Sequence, residues 1–142
     1  MVGASVPKCI LIVDNNECIR NRIRASLEDE AGLKVCGEAV DGYDAIEKAE
    51  RLKPDLIILE LCMPRMNGLT AASILKKMFP RTPIILFTLH HDAFQNLATP
   101  AGCDAVVPKC ADISLLMNSV QGLLRAAANL PRPVNKSIGP VH

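Results

Sequence analysis

The chain is predicted to be an α/β protein with a five-stranded parallel sheet covered by helices on both faces. Three observations carry this expectation. Five short apolar runs alternate with five amphipathic helical patterns, the signature of a strand-helix alternation. The strongest runs are continuously apolar rather than alternating, as in strands buried on both faces. Polar residues stand just after the runs, as Asp14, Asn15, Glu60, Thr88 and Lys109 do here.

The elements follow in order. Lys8 to Val13 reads KCILIV, a β-branched run. Asn15 or Asn16 can cap the next helix, whose Ile19, Ile23 and Leu27 recur every four residues on one face. Gly32 is placed to stop that helix. Leu33 to Ala39 is a weaker, more polar strand. Asp41 caps a helix with Ala45, Ile46, Ala49 and Leu52 toward the core, ended by Pro54. Leu56 to Leu61 is the third strand. Asn67-Gly68 opens a helix through Leu69, Ala72, Leu75 and Met78, closed by Pro80. Pro83 to Phe87 is the fourth strand. His91 to Thr99 reads as a short helix, with Pro100 expected to end it early or bend it. Ala105 to Val107 is a brief fifth strand. Asp112 caps a last helix with Leu116, Val120, Leu123 and Leu124 inside.

These boundaries divide the chain into an N-terminal extension (1–7), one domain (8–128) and a Pro-rich tail or linker stub (129–142). With right-handed crossovers, five strands fit the flavodoxin-like order 2-1-3-4-5. Sites in such sheets lie beyond the carboxyl ends of the strands.

Composition narrows the function classes. With 142 residues, 49% of them hydrophobic, and a net charge of +1, the chain is long enough for one packed core. Near-neutral charge argues against a dedicated nucleic-acid surface. No run approaches the ~20 apolar residues of a membrane span and no signal peptide is read, so a cytoplasmic location is expected. Cys9, Cys18, Cys36, Cys62, Cys103 and Cys110 form no C-x-x-C pair. They are read as small hydrophobes or reduced thiols rather than a disulfide framework. Arg20, Arg22 and Arg24 read as a solvated face, and the pair His90-His91 is not read as a metal site.

The strand-end residues make chemical sense together. Carboxylates at a strand edge are hard-oxygen ligands for Mg²⁺. A hydroxyl and an ammonium, Thr88 and Lys109, can bind phosphoryl oxygens. Singly, each has a plain reading: Asp14 a turn residue or cap, Glu60 an exposed acid, Thr88 a common strand end, Lys109 a surface charge. Their joint placement favours a site.

Five segments carry a resemblance. They are Ile10-Leu11-Ile12-Val13-Asp14-Asn15-Asn16-Glu17; Pro54-Asp55-Leu56-Ile57-Ile58-Leu59-Glu60; Met63-Pro64-Arg65-Met66-Asn67-Gly68; Thr88; and Ala101-Gly102-Cys103-Asp104 leading to Lys109. In this order and spacing, from about Lys8 to Ala127, the chain resembles the receiver domain of two-component response regulators. It looks closest to those with a C-terminal helix-turn-helix output. The resemblance implies a non-enzymatic, bacterial phosphorelay module whose partner is a histidine kinase or other signalling protein. It implies Asp14 and the Asn15 position as the acidic pocket, Glu60 at the phosphoacceptor position, and the Cys62 backbone carbonyl in a Mg²⁺ shell with Asp14 and Glu60. Thr88 and Lys109 would bind the phosphoryl group, with Val106 at the position of the switch aromatic. The face made by the helix from His91, the fifth strand and the last helix would be the partner surface, including for a homodimer.

Four departures set this chain apart from that pattern. Glu60 replaces an aspartate, moving the carboxylate by roughly 1.5 Å, one C–C bond. A misplacement of that size can cost on the order of 10²-fold in transfer. Asn15 replaces an acid, so Asp14 and Glu60 (−1 each) with Lys109 (+1) sum to −1, and Mg²⁺ binding is expected to be weakened. Val106 replaces a ring. Pro108 precedes Lys109 instead of a Pro following it, and biases Val107 to extended backbone. A degenerate receiver, independent of Asp phosphorylation, is the expected function, with Glu60 able to reach Lys109 directly. Two alternatives are a receiver separated from a DNA-binding output, with no DNA reading by this chain alone, and a flavodoxin-like cofactor binder. The acidic Asp14-Asn15-Asn16-Glu17 turn disfavours the latter.

Overall fold

A computed structural model describes residues 6–130. The sheet order is β2-β1-β3-β4-β5 and every pairing is parallel, the doubly wound order expected from the strand count. The strands are β1 (Lys8–Val13), β2 (Leu33–Ala39), β3 (Leu56–Leu59), β4 (Ile84–Thr88) and β5 (Ala105–Pro108). The helices are α1 (Glu17–Glu28), α2 (Gly42–Leu52), α3 (Gly68–Met78), α4 (His91–Ala101) and α5 (Ile113–Ala128).

Strand alternation divides the apolar residues between two faces. Leu11, Val13, Ile57, Leu59, Ile84 and Leu86 pack with Ala45 and Ala49 of α2, Ala71, Ala72 and Leu75 of α3 and Ala98 of α4. Ile10, Ile12, Leu56, Ile58, Ile85 and Phe87 face Ile23 and Leu27 of α1 and Leu116, Val120 and Leu124 of α5. The helix against the middle of the first face is alanine-rich, so it approaches closely with little side-chain bulk between. Apart from Phe87, the buried residues of both clusters carry no aromatic ring, in keeping with the low aromatic content.

Side-chain caps start the helices where the sequence places them. Asn16, Asp41, Asn67 and Asp112 accept from the backbone N–H of Ile19, Asp44, Thr70 and Ser114. Helix ends depart from expectation in two places. The first helix stops at Glu28, capped by Asp29, and Gly32 (φ +84°) instead shapes the turn into β2. The fourth helix runs through Pro100 to Ala101 rather than ending before it, closed by left-handed Gly102. A proline this near the end removes a single hydrogen bond from the last turn. Met78 is partly exposed because it lies in the last turn of α3, past the sheet's cover.

Strand β3 ends at Leu59, two residues before the expected limit. The Glu60 carboxylate captures the following N–H groups and ends the ladder. Of the proposed extension and tail, residues 1–5 and 131–142 lie outside the described residues.

The cysteines overturn the expectation that all six are free. Cys9 and Cys36 form a disulfide, with their Cα atoms 5.4 Å apart. They sit on neighbouring strands and on the same face, which sequence spacing does not reveal. Cys103 is buried, and Cys18, Cys62 and Cys110 are exposed. Burial, with a contribution from neighbouring Asp104, pushes the Cys103 thiol up to about 11, so it behaves as a small hydrophobe.

Candidate functional site at the carboxyl edge of the sheet

Register brings the candidate residues to one edge. Val13 pairs with Leu59 and Leu59 with Leu86, while Thr88 pairs with Pro108. The next residues on β1, β3 and β5 are Asp14, Glu60 and Lys109. Their backbones continue the sheet: Glu60 N donates to Val13 O at 2.9 Å, and Lys109 N to Thr88 O at 3.0 Å.

Three side chains meet there. Asp14 and Glu60 are 2% and 6% exposed. Lys109 Nζ lies 2.7 Å from Asp14 Oδ2 and also pairs with Glu60 Oε1. Glu60 Oε2 accepts the backbone N–H of Leu61 and, at 3.0 Å, that of Cys62. Asp14 Oδ1 accepts the Asn16 N–H at 2.8 Å. Each of the four carboxylate oxygens thus has a donor. Two buried carboxylates would be costly alone, and one ammonium with three backbone amides offsets that cost. Burial pulls the Lys109 pKa down, but its hydrogen bonds to Asp14 and Glu60 outweigh this and hold it above the ordinary value.

The remaining expected residues stand around this triad. Thr88 is fully buried, and its Oγ1 accepts from the His90 N–H at 3.2 Å. Asn15 is exposed and lines a cleft of about 480 Å³ with Cys62, Asn67 and Phe94. Val106 is half-buried and packs on the face covered by α2, α3 and α4. Pro108 is the last residue of edge strand β5 and leaves the Lys109 backbone bond in place. An edge strand tolerates the missing N–H.

Two supports were not legible in the sequence. Arg20 donates to the Asp14 carbonyl at 2.6 Å and to Glu38 at 2.7 Å, and Arg24 donates to the other Glu38 oxygen. Arg20 and Arg24 are therefore paired rather than a solvated face; Arg22 alone of the three is exposed. The second support is Arg65, in left-handed backbone (φ +68°), whose Nε donates to buried Asp41 at 2.8 Å. Its guanidinium lies over the Tyr43 ring. This ties the loop after Glu60 to the start of α2. The Asp44 backbone N–H holds the Asp41 carboxyl below its usual value against the effect of burial, and Arg65 adds to the shift. The sequence offers no signal for either support, because Arg20 and Arg65 reach Glu38 and Asp41, 18 and 24 residues away, through tertiary packing.

Gly68 is a signal that could have been read. A Cβ there would collide with the Glu60 carbonyl, so the glycine after Asn67 permits the loop to fold back under the acid.

Comparison with known proteins agrees with this architecture. A family model described as response regulator receiver domain matches residues 10–121. A protein-glutamate methylesterase/protein-glutamine glutaminase of Alkalilimnicola ehrlichii is 38% identical over 119 residues, covering 81% of this chain and 30% of that protein. The chain thus spans about a third of that relative's length, and the likeness lies in its receiver portion. A LuxR-family two-component response regulator from Aurantimonas sp. superposes with a TM-score of 0.80 at 26% identity, over 84% of this chain and 86% of that one. The response regulator TrrA of Thermotoga maritima, solved in complex with Mg²⁺-BeF, superposes with a TM-score of 0.74 at 31% identity, over 82% and 98%. With the sheet order of a receiver fold and a family match over most of its length, this chain belongs to the response regulator receiver domain family of two-component signalling.

Proposed function

We propose that this receiver acts through protein contacts and does not depend on phosphorylation at the strand-end carboxylate. One observation carries the reading: the Lys109 ammonium already bridges Asp14 and Glu60. In this role Lys109 is a built-in counter-cation, and Glu60, at the phosphoacceptor position, is an ion-pair partner rather than a nucleophile. Glu60 is further occupied by two backbone amides on its second oxygen. An attacking oxygen must stand in line with the donor at near-contact distance, and Oε1, the oxygen not held by backbone amides, is instead turned to the Lys109 ammonium.

The same arrangement does not fit a Mg²⁺ ion. Mg²⁺ calls for octahedral oxygen ligands at short range, whereas the carboxylate oxygens of Asp14 and Glu60 are directed at nitrogen donors. Asn15 adds no charge there, and the Cys62 contribution seen is its N–H to Glu60.

The pairing of Glu60 with Lys109 imitates one contact of a phosphorylated pocket, and only one. Thr88 Oγ1 is engaged by His90 N, and Val106 has no ring to swing inward. Glu60 is therefore read as abolishing phosphoryl chemistry rather than reproducing the full active state. A histidine kinase or another signalling protein would be recognised through surface contacts. Leu89 and Leu97, at the head of and within α4, are 64% and 52% exposed. Both are exposed apolar side chains available to such a partner or to a second copy of the chain.

Incubation with acetyl phosphate and Mg²⁺, followed by intact mass, tests the reading. The unmodified mass is expected for the wild type. A stoichiometric phosphoryl adduct would overturn it. Asn15→Asp with Glu60→Asp returns acceptor length and pocket charge, and is expected to gain an adduct.

A further inference from the structure

We propose that Cys9 and Cys36 form a reversible thiol-disulfide switch. The switch locks the register of the edge strand and, through it, the Asp14 end of the pocket. Strand β2 has one neighbour, β1. It is the most polar of the five and contains Gly37, so its own residues specify register weakly. The pairing contains an irregularity: Ile10 opposes Val35, but Leu11 opposes Gly37. Cys36 is therefore the extra residue of a β-bulge, and it is the residue bonded to Cys9. The covalent bond sits on the one position that sets the register of everything after it.

What comes after the bulge reaches the site. Gly37, Glu38 and Ala39 oppose Leu11, Ile12 and Val13. Ala39 O accepts the Asp14 N–H at 3.0 Å. Glu38 orients Arg20, which donates to the Asp14 carbonyl. Slipping this segment by one residue would turn Glu38 to the opposite face of the sheet, taking its hold on Arg20 away. Asp14 would then lose two backbone tethers while keeping Lys109.

The chemistry balances with a thiol reductant of the glutathione class. Two reductant thiols are oxidised to one disulfide; the Cys9–Cys36 bond takes up two electrons and two protons and becomes two thiols. Both cysteines are half-buried, so a small thiol has partial access. The closed loop spans a sequence separation of 27 residues and encloses α1. Loop closure of that length stabilises by restricting the unfolded chain.

The test uses the full chain equilibrated in reduced and oxidised glutathione at graded ratios, then alkylated under denaturing conditions. Peptide mass mapping is expected to show the Cys9–Cys36 pair closed at the oxidising end and open at the reducing end, the other four cysteines forming no disulfide within the chain at any ratio. The oxidised form is expected to melt higher, on the order of 10 °C. Its amides at Gly37 to Ala39 and at Asp14 are expected to exchange at least tenfold more slowly. Cys36→Ser should melt with the reduced wild type and ignore the buffer ratio. The reduced wild type makes the same measurement should that variant fail to fold. Six free thiols at every ratio, a different pair, a bond that stays closed at every ratio, or equal exchange in the two forms would each overturn the proposal.

Discussion

At the scale of single residues, Lys109 decides the character of the site. It is the cation shared by two buried carboxylates, and removing it leaves both without a counter-charge. Lys109→Met is expected to destabilise the fold by about 3 kcal/mol or more, measured as the shift in urea midpoint at neutral pH. Glu60→Gln should cost less, since Lys109 keeps Asp14 and the amide can still accept a backbone N–H. The pH dependence has a definite sign. Because the folded pKa of Lys109 is raised, its contribution is complete below the unfolded value of about 10.5 and is lost as pH rises through the higher folded value. Urea midpoints followed into the alkaline range should fall in the wild type, with that part of the fall missing in Lys109→Met. Asp14, Glu60 and Lys109 were legible in the sequence because each follows directly on a strand, and position after a strand is a local property. Arg65 and Arg20 were not, because nothing near either residue names Asp41 or the Asp14 carbonyl as its partner.

At the scale of elements, two glycines separate close approach from mere flexibility. Gly68 opens α3 directly beneath the Glu60 carbonyl, where a Cβ has no room. Gly122 lies inside α5 with nothing nearby to obstruct a methyl group. Gly68→Ala is expected to destabilise by about 1–3 kcal/mol through forced backbone movement, and Gly122→Ala to stabilise by roughly 0.5–1 kcal/mol through helix propensity. Paired thermal melts would show opposite shifts, and shifts of the same sign would contradict the packing described. The strands, helix faces and caps were readable because each depends on residues within one or two turns. The helix ends were less so. Gly32 looked like a stop signal, yet α1 had already closed at Asp29. Pro100 looked like a break, yet the last turn of α4 absorbs it.

At the scale of the whole molecule, the doubly wound order brings Asp14, Glu60 and Lys109 together at one edge of the sheet. If Leu89 and Leu97 form a self-association surface, Leu89→Glu with Leu97→Glu should lower the mass seen by light scattering at high concentration without changing the melting temperature. An unchanged mass would rule out self-association through these two residues. No helix among the described residues is long and apolar enough to cross a membrane. By itself, the sequence determined the strand-helix alternation, the sheet order, the helix caps and the identity of the groups at the strand ends. Burial patterns, caps and strand ends are written in adjacent residues, and right-handed crossovers leave few ways to wind them. Only the tertiary structure decided which groups touch: that Lys109 spans both carboxylates, that Arg20 and Arg65 brace the loops, and that Cys9 meets Cys36 across a bulge. Most of those contacts join residues well separated in the chain, up to the 95 positions between Asp14 and Lys109, and their meeting is set by strand register and side-chain reach, neither of which is a property of any local segment.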